Sequence, residues 1–197
     1  EFTEFPWGCD FYRRTGTMMD AHALDRLQQF DAIYLGAIGD PAVPDHVSVW
    51  ELILPIRQRF DQYVNLRPMR LLPGVPGPLA GRTPADVDMI CVRENSEGEY
   101  SGFGGRMHRG TPHEVATQGS VNTRMGVERC VRYAFELAER RDRKHLTLVH
   151  KTNVLSFSGR LWSRLVEEVS LEHPDVSVAY QHIDATTIHM VTDPGRF

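Results

Sequence analysis

Between Asn122 and Arg143 apolar residues recur at helical spacing, with Val127, Val131, Ala134, Phe135 and Ala138 on one face and arginines on the other. A stripe of that kind has to be buried against another element. The run that follows, His145 to His150, is short and apolar enough to read as a strand, and the same alternation continues along the chain. Asp20 is a candidate N-cap for a helix marked by Ala21, Leu24, Leu27 and Phe30, and Asp31 to Gly36 reads as a short buried strand. A helix is predicted over Val49 to Ile56, kinked or interrupted near Pro55, and strands over Tyr63 to Leu66 and Val87 to Val92. Leu161, Leu165 and Val169 mark another helix, Val176 to Ile183 a strand, and Ala185 to Val191 a helix that stops at Asp193-Pro194-Gly195. Helices alternating with short strands predict an α/β protein. The Pro- and Gly-rich run from Pro73 to Pro78 predicts a crossing between two lobes, residues 1–72 and 73–197. Ser101 to Gly119 is a long polar excursion, and loops of that length usually carry function or make contacts.

Charge and cysteine usage narrow the function classes. A formal net charge of −4 over 197 residues gives no basic face for nucleic acid. No apolar run approaches the ~20 residues of a membrane span. Cys9, Cys91 and Cys130 are odd in number and form no C-x-x-C pair, which favours reduced thiols in the cytoplasm. The start, Glu1-Phe2-Thr3-Glu4, has neither Met nor a leader-like segment and reads as the interior of a longer chain.

Familiar catalytic signatures fail. Gly102-Phe103-Gly104-Gly105-Arg106-Met107 lacks the last glycine of G-x-G-x-x-G, so the fold is not predicted to be Rossmann, and His113-Glu114-Val115-Ala116-Thr117 lacks the second histidine of a zincin helix. What remains is charge at the ends of predicted strands, where α/β proteins place their chemistry. Arg57 and Arg67 flank one strand, Arg93 follows the next, Lys151 follows His145 to His150, and Asp184 follows Val176 to Ile183. Three guanidinium groups suit a dicarboxylate, because each offers paired donors and stays charged.

Four segments in this order carry a resemblance: Asn65-Leu66-Arg67-Pro68, the run from Val92-Arg93-Glu94-Asn95 to Tyr100, His150-Lys151-Thr152-Asn153-Val154-Leu155, and Asp184-Ala185-Thr186-Thr187-Ile188-His189. They resemble the motifs of the β-decarboxylating dehydrogenases, the isocitrate, 3-isopropylmalate and tartrate or D-malate dehydrogenases. The segments Phe5 to Tyr12 and Gly36 to His46 look most like the tartrate and D-malate branch. The resemblance implies a two-lobed isopropylmalate/isocitrate dehydrogenase-like fold, incomplete in this chain, with residues 1–72 belonging to a cofactor-side domain. Residues 73–197 would then form a dimer-forming domain whose arm, at about 101–119, interlocks two subunits.

The resemblance assigns Arg57, Arg67 and Arg93 to the substrate carboxylates, Tyr100 and Lys151 to the acid and base pair, Asp184 to a divalent metal, Mg²⁺ or Mn²⁺, and Asn153 to the nicotinamide end of NAD. Lys151 and Asp184 would serve the partner subunit's site, so the working unit is a homodimer. The activity expected is oxidation and decarboxylation of a small 2-hydroxy dicarboxylic acid, D-malate or tartrate. 3-Isopropylmalate or isocitrate is the alternative substrate, and a non-catalytic truncated paralogue the alternative class. Glu51 lies on a helix that faces the variable part of the substrate in this family, where its carboxylate would repel an acidic side group, and the branch resemblance favours a small polar acid over an isopropyl group. A second acidic metal motif and the adenosine loop are expected beyond Phe197, which predicts that the 197-residue piece is inactive alone.

Overall fold

A computed structural model describes residues 1–197 as two compact units, Glu1–Tyr63 and Val64–Phe197. The units divide before the strand at Val64, upstream of the Pro- and Gly-rich run.

The first unit is helical: α1 (Cys9–Thr15), α2 (Ala23–Leu27), α3 (Asp45–Ser48) and α4 (Leu54–Arg59). Met18, Leu27, Val43, Val47, Leu52 and Ile56 form its core, with Phe5, Trp7, Tyr12 and Ile38 packed around them. The kink expected at Pro55 is present as a π-helical turn over Val49–Ile53, in which the Leu54 N–H reaches back to the Val49 carbonyl. Pro55 has no N–H to continue an α-helical ladder and its ring crowds the preceding turn, so the helix widens just before it. The strand expected over Asp31 to Gly36 does not form. An extended segment needs a neighbour for its N–H and C=O groups. The first unit contains no strand to offer one, and Tyr34 is 95% exposed.

The second unit holds six strands and three long helices. β1 (Val64–Arg70) pairs antiparallel with β2 (Asp88–Glu94), placing Asn65 opposite Arg93 and Arg67 opposite Cys91. Pro68 removes one donor from β1, which suits an edge strand. The excursion is a hairpin, β3 (Gly104–Met107) with β4 (Val115–Gln118), every residue of which is exposed. Then come α5 (Arg124–Glu139), β5 (His145–His150), α6 (Ser156–Ser170), β6 (Ser177–His182), parallel to β5, and α7 (Ile183–Thr192). The core joins α5 to α6 through Val127, Val131, Phe135, Leu165, Val166 and Val169, with Leu146 and Leu148 of β5 against it.

A cavity of about 620 Å³ runs between β2 and β5. Every residue from Met89 to Glu94 and from His145 to Lys151 lines it. A sheet face would contribute alternate residues, so consecutive lining shows that the cavity follows the edges of the two strands. Both point the same way along it: Arg141, just before β5, donates to the Asp88 carbonyl at 2.7 Å at one end, and Arg93, Tyr100 and Lys151 meet the cavity at the other.

Candidate active site

At the C-terminal ends of β2 and β5 the structure brings two pairs of the sequence-predicted residues together. Lys151, the first residue after β5, donates from Nζ to Asp184 Oδ2 at 2.7 Å. Asp184 stands in the first turn of α7, directly after β6, so the parallel β5–β6 register, with His150 opposite His182, sets the two groups side by side. The hydrogen bond from Lys151 is the main cause holding the Asp184 carboxyl below the usual carboxylate range.

Arg93 and Tyr100 form the second pair. The Arg93 guanidinium donates to the Tyr100 hydroxyl and lies 5.0 Å from the centre of its ring. Tyr100 sits in the 3₁₀ turn Glu99–Ser101. Arg67 is a diagonal neighbour of Arg93 on the same face of the β1–β2 ribbon, a separation long side chains can span, and its Nε donates to Asn65 Oδ1 at 3.2 Å. Asn153 is exposed in the turn after β5. Arg57 belongs to α4 of the first unit. Lys151, Arg93 and Tyr100 border one cavity, an arrangement that can hold an anion between two cations with a phenol and an amine at hand for proton transfer.

Asp184 can give a divalent cation one carboxylate ligand, but no three of the His, Cys, Asp and Glu side chains converge to hold a metal, and its oxygen is engaged by Lys151. The groups present therefore do not build a complete metal centre.

Four residues to which the sequence assigned no role in the site belong to the same region. His150 lines the cavity with its Nδ1 buried and unpartnered, and burial lowers its pKa from 6.5 against a weaker opposing effect of Glu99. Glu94 accepts from the backbone N–H groups of Ser96 and Glu97, both at 2.9 Å, and Glu97 accepts from Thr123. Both carboxylates lay inside a motif already singled out, but only the folded loop shows what they hold. The Cys130 thiol is buried and pushed up to about 12, mainly by desolvation, so it is a core group and not a nucleophile.

Comparison with known proteins gives the frame. The family model described as isocitrate/isopropylmalate dehydrogenase matches residues 1–197. A 3-isopropylmalate dehydrogenase of Nocardia farcinica is 58% identical over 100% of this chain and 58% of its own length, and one of Mycobacterium avium is 57% identical over 99% of this chain and 57% of its own. The chain thus spans under two thirds of the length of these curated relatives. Among solved structures, isocitrate dehydrogenase from Methylococcus capsulatus matches with a TM-score of 0.83 at 30% identity, over 97% of this chain and 54% of that one.

These relatives overturn the expectation of a D-malate or tartrate enzyme. The segments behind that expectation are mostly packing: Phe5, Trp7, Cys9, Tyr12, Ile38 and Val43 belong to the first unit's core cluster, so their likeness to one branch reports shared packing and not a substrate. Glu51, read as repelling an acidic side group of the substrate, is exposed on the π-helical turn. With a family model covering every residue and four motifs in order, the chain belongs to the isocitrate/isopropylmalate dehydrogenase family.

Proposed function

We propose that this chain carries part of the active site of an NAD-dependent 3-isopropylmalate dehydrogenase, which oxidises the 2-hydroxyl of its substrate to a ketone and releases the carboxylate β to that ketone as carbon dioxide, leaving an enolate. The observation that carries the reading is the 58% identity with a protein of that name across the full chain. It is supported by the pairing of Lys151 with Asp184 and of Arg93 with Tyr100 beside one cavity.

Arg67 and Arg93 take the substrate carboxylates, with paired donors that fix orientation as well as charge. Arg57 is given the same role by the resemblance alone. Lys151, which the resemblance places in the partner subunit's site, accepts the hydroxyl proton there, directly or through a water molecule, as the hydride leaves, and Asp184, hydrogen-bonded to it, would give the divalent cation one ligand. Tyr100, held by Arg93, returns a proton to carbon after decarboxylation. When bound, NAD accepts the hydride and a divalent cation, Mg²⁺ or Mn²⁺, stabilises negative charge on the substrate oxygen. Asn153 is assigned to the nicotinamide end of the cofactor. The working unit in this proposal is a homodimer in a reducing compartment such as the cytoplasm. No helix of the chain is long and apolar enough to cross a membrane.

The test is NADH formation by the full-length gene product with 3-isopropylmalate or isocitrate and added Mn²⁺. A kcat/KM at least tenfold higher for 3-isopropylmalate is expected. A preference for isocitrate would replace the substrate, and no turnover with any 2-hydroxy acid would replace the enzyme reading with that of a non-catalytic paralogue.

A further inference from the structure

The N-terminus of α5 is capped in an unusual way. Thr123 is its N-cap, and the Thr123 Oγ1 accepts from the Gly126 N–H at 3.0 Å. In a capping box the residue at N3 is a Glu or Gln whose side chain reaches back to the N-cap N–H. Here N3 is Gly126, which has no side chain. The missing carboxylate comes instead from Glu97, 26 positions earlier: its Oε2 accepts from the Thr123 N–H at 2.8 Å and its Oε1 from the Thr123 hydroxyl at 2.6 Å. The absence of a side chain at Gly126 makes this possible, since a Cβ there would collide with the Glu97 carboxyl. A negative group at this end of a 16-residue helix is further favoured by the helix dipole.

The same residue starts the turn that carries Tyr100. The Glu97 carbonyl accepts from the Tyr100 N–H at 3.3 Å. Gly98, at φ +68°, exchanges both backbone hydrogen bonds with Val121, at 2.7 and 3.2 Å. Glu94 and the Ser96 hydroxyl, which accepts from Arg129 of α5 at 2.9 Å, fasten the preceding residues. The excursion from Glu99 to Ser120 is therefore closed at its base by two adjacent clasps, Glu97 with Thr123 and Gly98 with Val121, and Tyr100 leaves directly from them.

We infer that Glu97 is a positioning residue: by completing the α5 cap from outside the helix, it holds Tyr100 against Arg93 at the mouth of the cavity. The inference rests on the catalytic reading of Tyr100 for its effect on turnover, and on the hydrogen bonds alone for its effect on geometry. A misplacement of the order of 1 Å costs roughly a hundredfold in rate, so Glu97→Ala should lower kcat by about 10- to 100-fold while KM for 3-isopropylmalate changes little.

A role in helix capping alone would also make Glu97→Ala harmful, and the double variant Glu97→Ala with Gly126→Glu separates the two. It rebuilds an ordinary capping box within α5 but leaves Tyr100 untied. Thermal stability should return and kcat should not; recovery of kcat in the double variant would overturn the inference. In a Tyr100→Phe background, Glu97→Ala should cost no further kcat, whereas multiplicative losses would show that Glu97 acts by another route. Hydrogen exchange reads the clasp without activity: the Gly98, Tyr100 and Ser101 amides should exchange at least tenfold faster in both Glu97 variants, and unchanged exchange would sink the proposal. If Tyr100→Phe keeps normal turnover, the catalytic reading of Tyr100 fails, and the exchange result alone decides the role of Glu97.

Discussion

Each charged group at the end of the β2–β5 cavity makes its own demand on an assay. Lys151→Ala in the full-length gene product should lower kcat by at least 10²-fold with KM little changed, as expected for loss of a proton acceptor; near-normal turnover would remove Lys151 from that role. Arg93→Ala should act on both constants, raising KM through the lost carboxylate contact and lowering kcat because Tyr100 loses the partner that fixes its hydroxyl. Acid should weaken the fold in two stages. His150 is depressed by burial, so the unfolded chain takes up a proton first and stability falls as the pH drops through about 6.5. The carboxyls of Glu168, Glu172 and Asp184 lie below their ordinary values through hydrogen bonds from Arg124, Arg132 and Lys151. Their contribution is complete above those ordinary values, 4.5 and 3.8, and is lost as the pH falls through the lower folded-state values. Melting temperature against pH should show both stages, and His150→Gln should flatten the first; an unchanged slope would disprove the effect of its burial.

The elements divide sharply in how legible they were. β5 and α5 were readable because their information is local: α5 carries an apolar stripe over four turns, and its buried face, Val127, Val131, Phe135 and Ala138, is the face the spacing marked. Phe135 is fully buried, so Phe135→Ala should destabilise the second unit by about 3–5 kcal/mol in denaturant unfolding. The strand at Asp31 to Gly36 failed because strand formation depends on a neighbour, which a local pattern cannot report. Strand ends marked Lys151, Asp184 and Arg93 as candidates, and the fold sets Lys151 and Arg93 beside one cavity with Asp184 hydrogen-bonded to Lys151, since α/β topology fixes where charge at a strand end must lie. The pairing of Lys151 with Asp184 and the reach of Glu97 to Thr123 join residues 33 and 26 positions apart, and only three-dimensional register reveals them. The substrate was misjudged because segments that fill a core were taken for segments that select a ligand.

At the scale of the whole molecule, the β3–β4 hairpin stands out: a two-stranded ribbon with all its residues exposed has little to stabilise it in isolation. In the proposed homodimer it is the arm that grips the second subunit. Replacing Gly104–Gln118 by a short Gly-Ser linker in the full-length gene product should therefore yield monomers in sedimentation and a melting temperature that no longer rises with protein concentration; an unaltered dimer would take the hairpin out of the interface. The cavity between β2 and β5 bears on how this polypeptide behaves in solution. Strand edges that border apolar space are templates for any extended chain that reaches them, and such templates recruit copies of themselves. Self-association of the 197-residue chain should accordingly be seeded by preformed aggregate and persist in high salt, unlike assembly driven by surface charge.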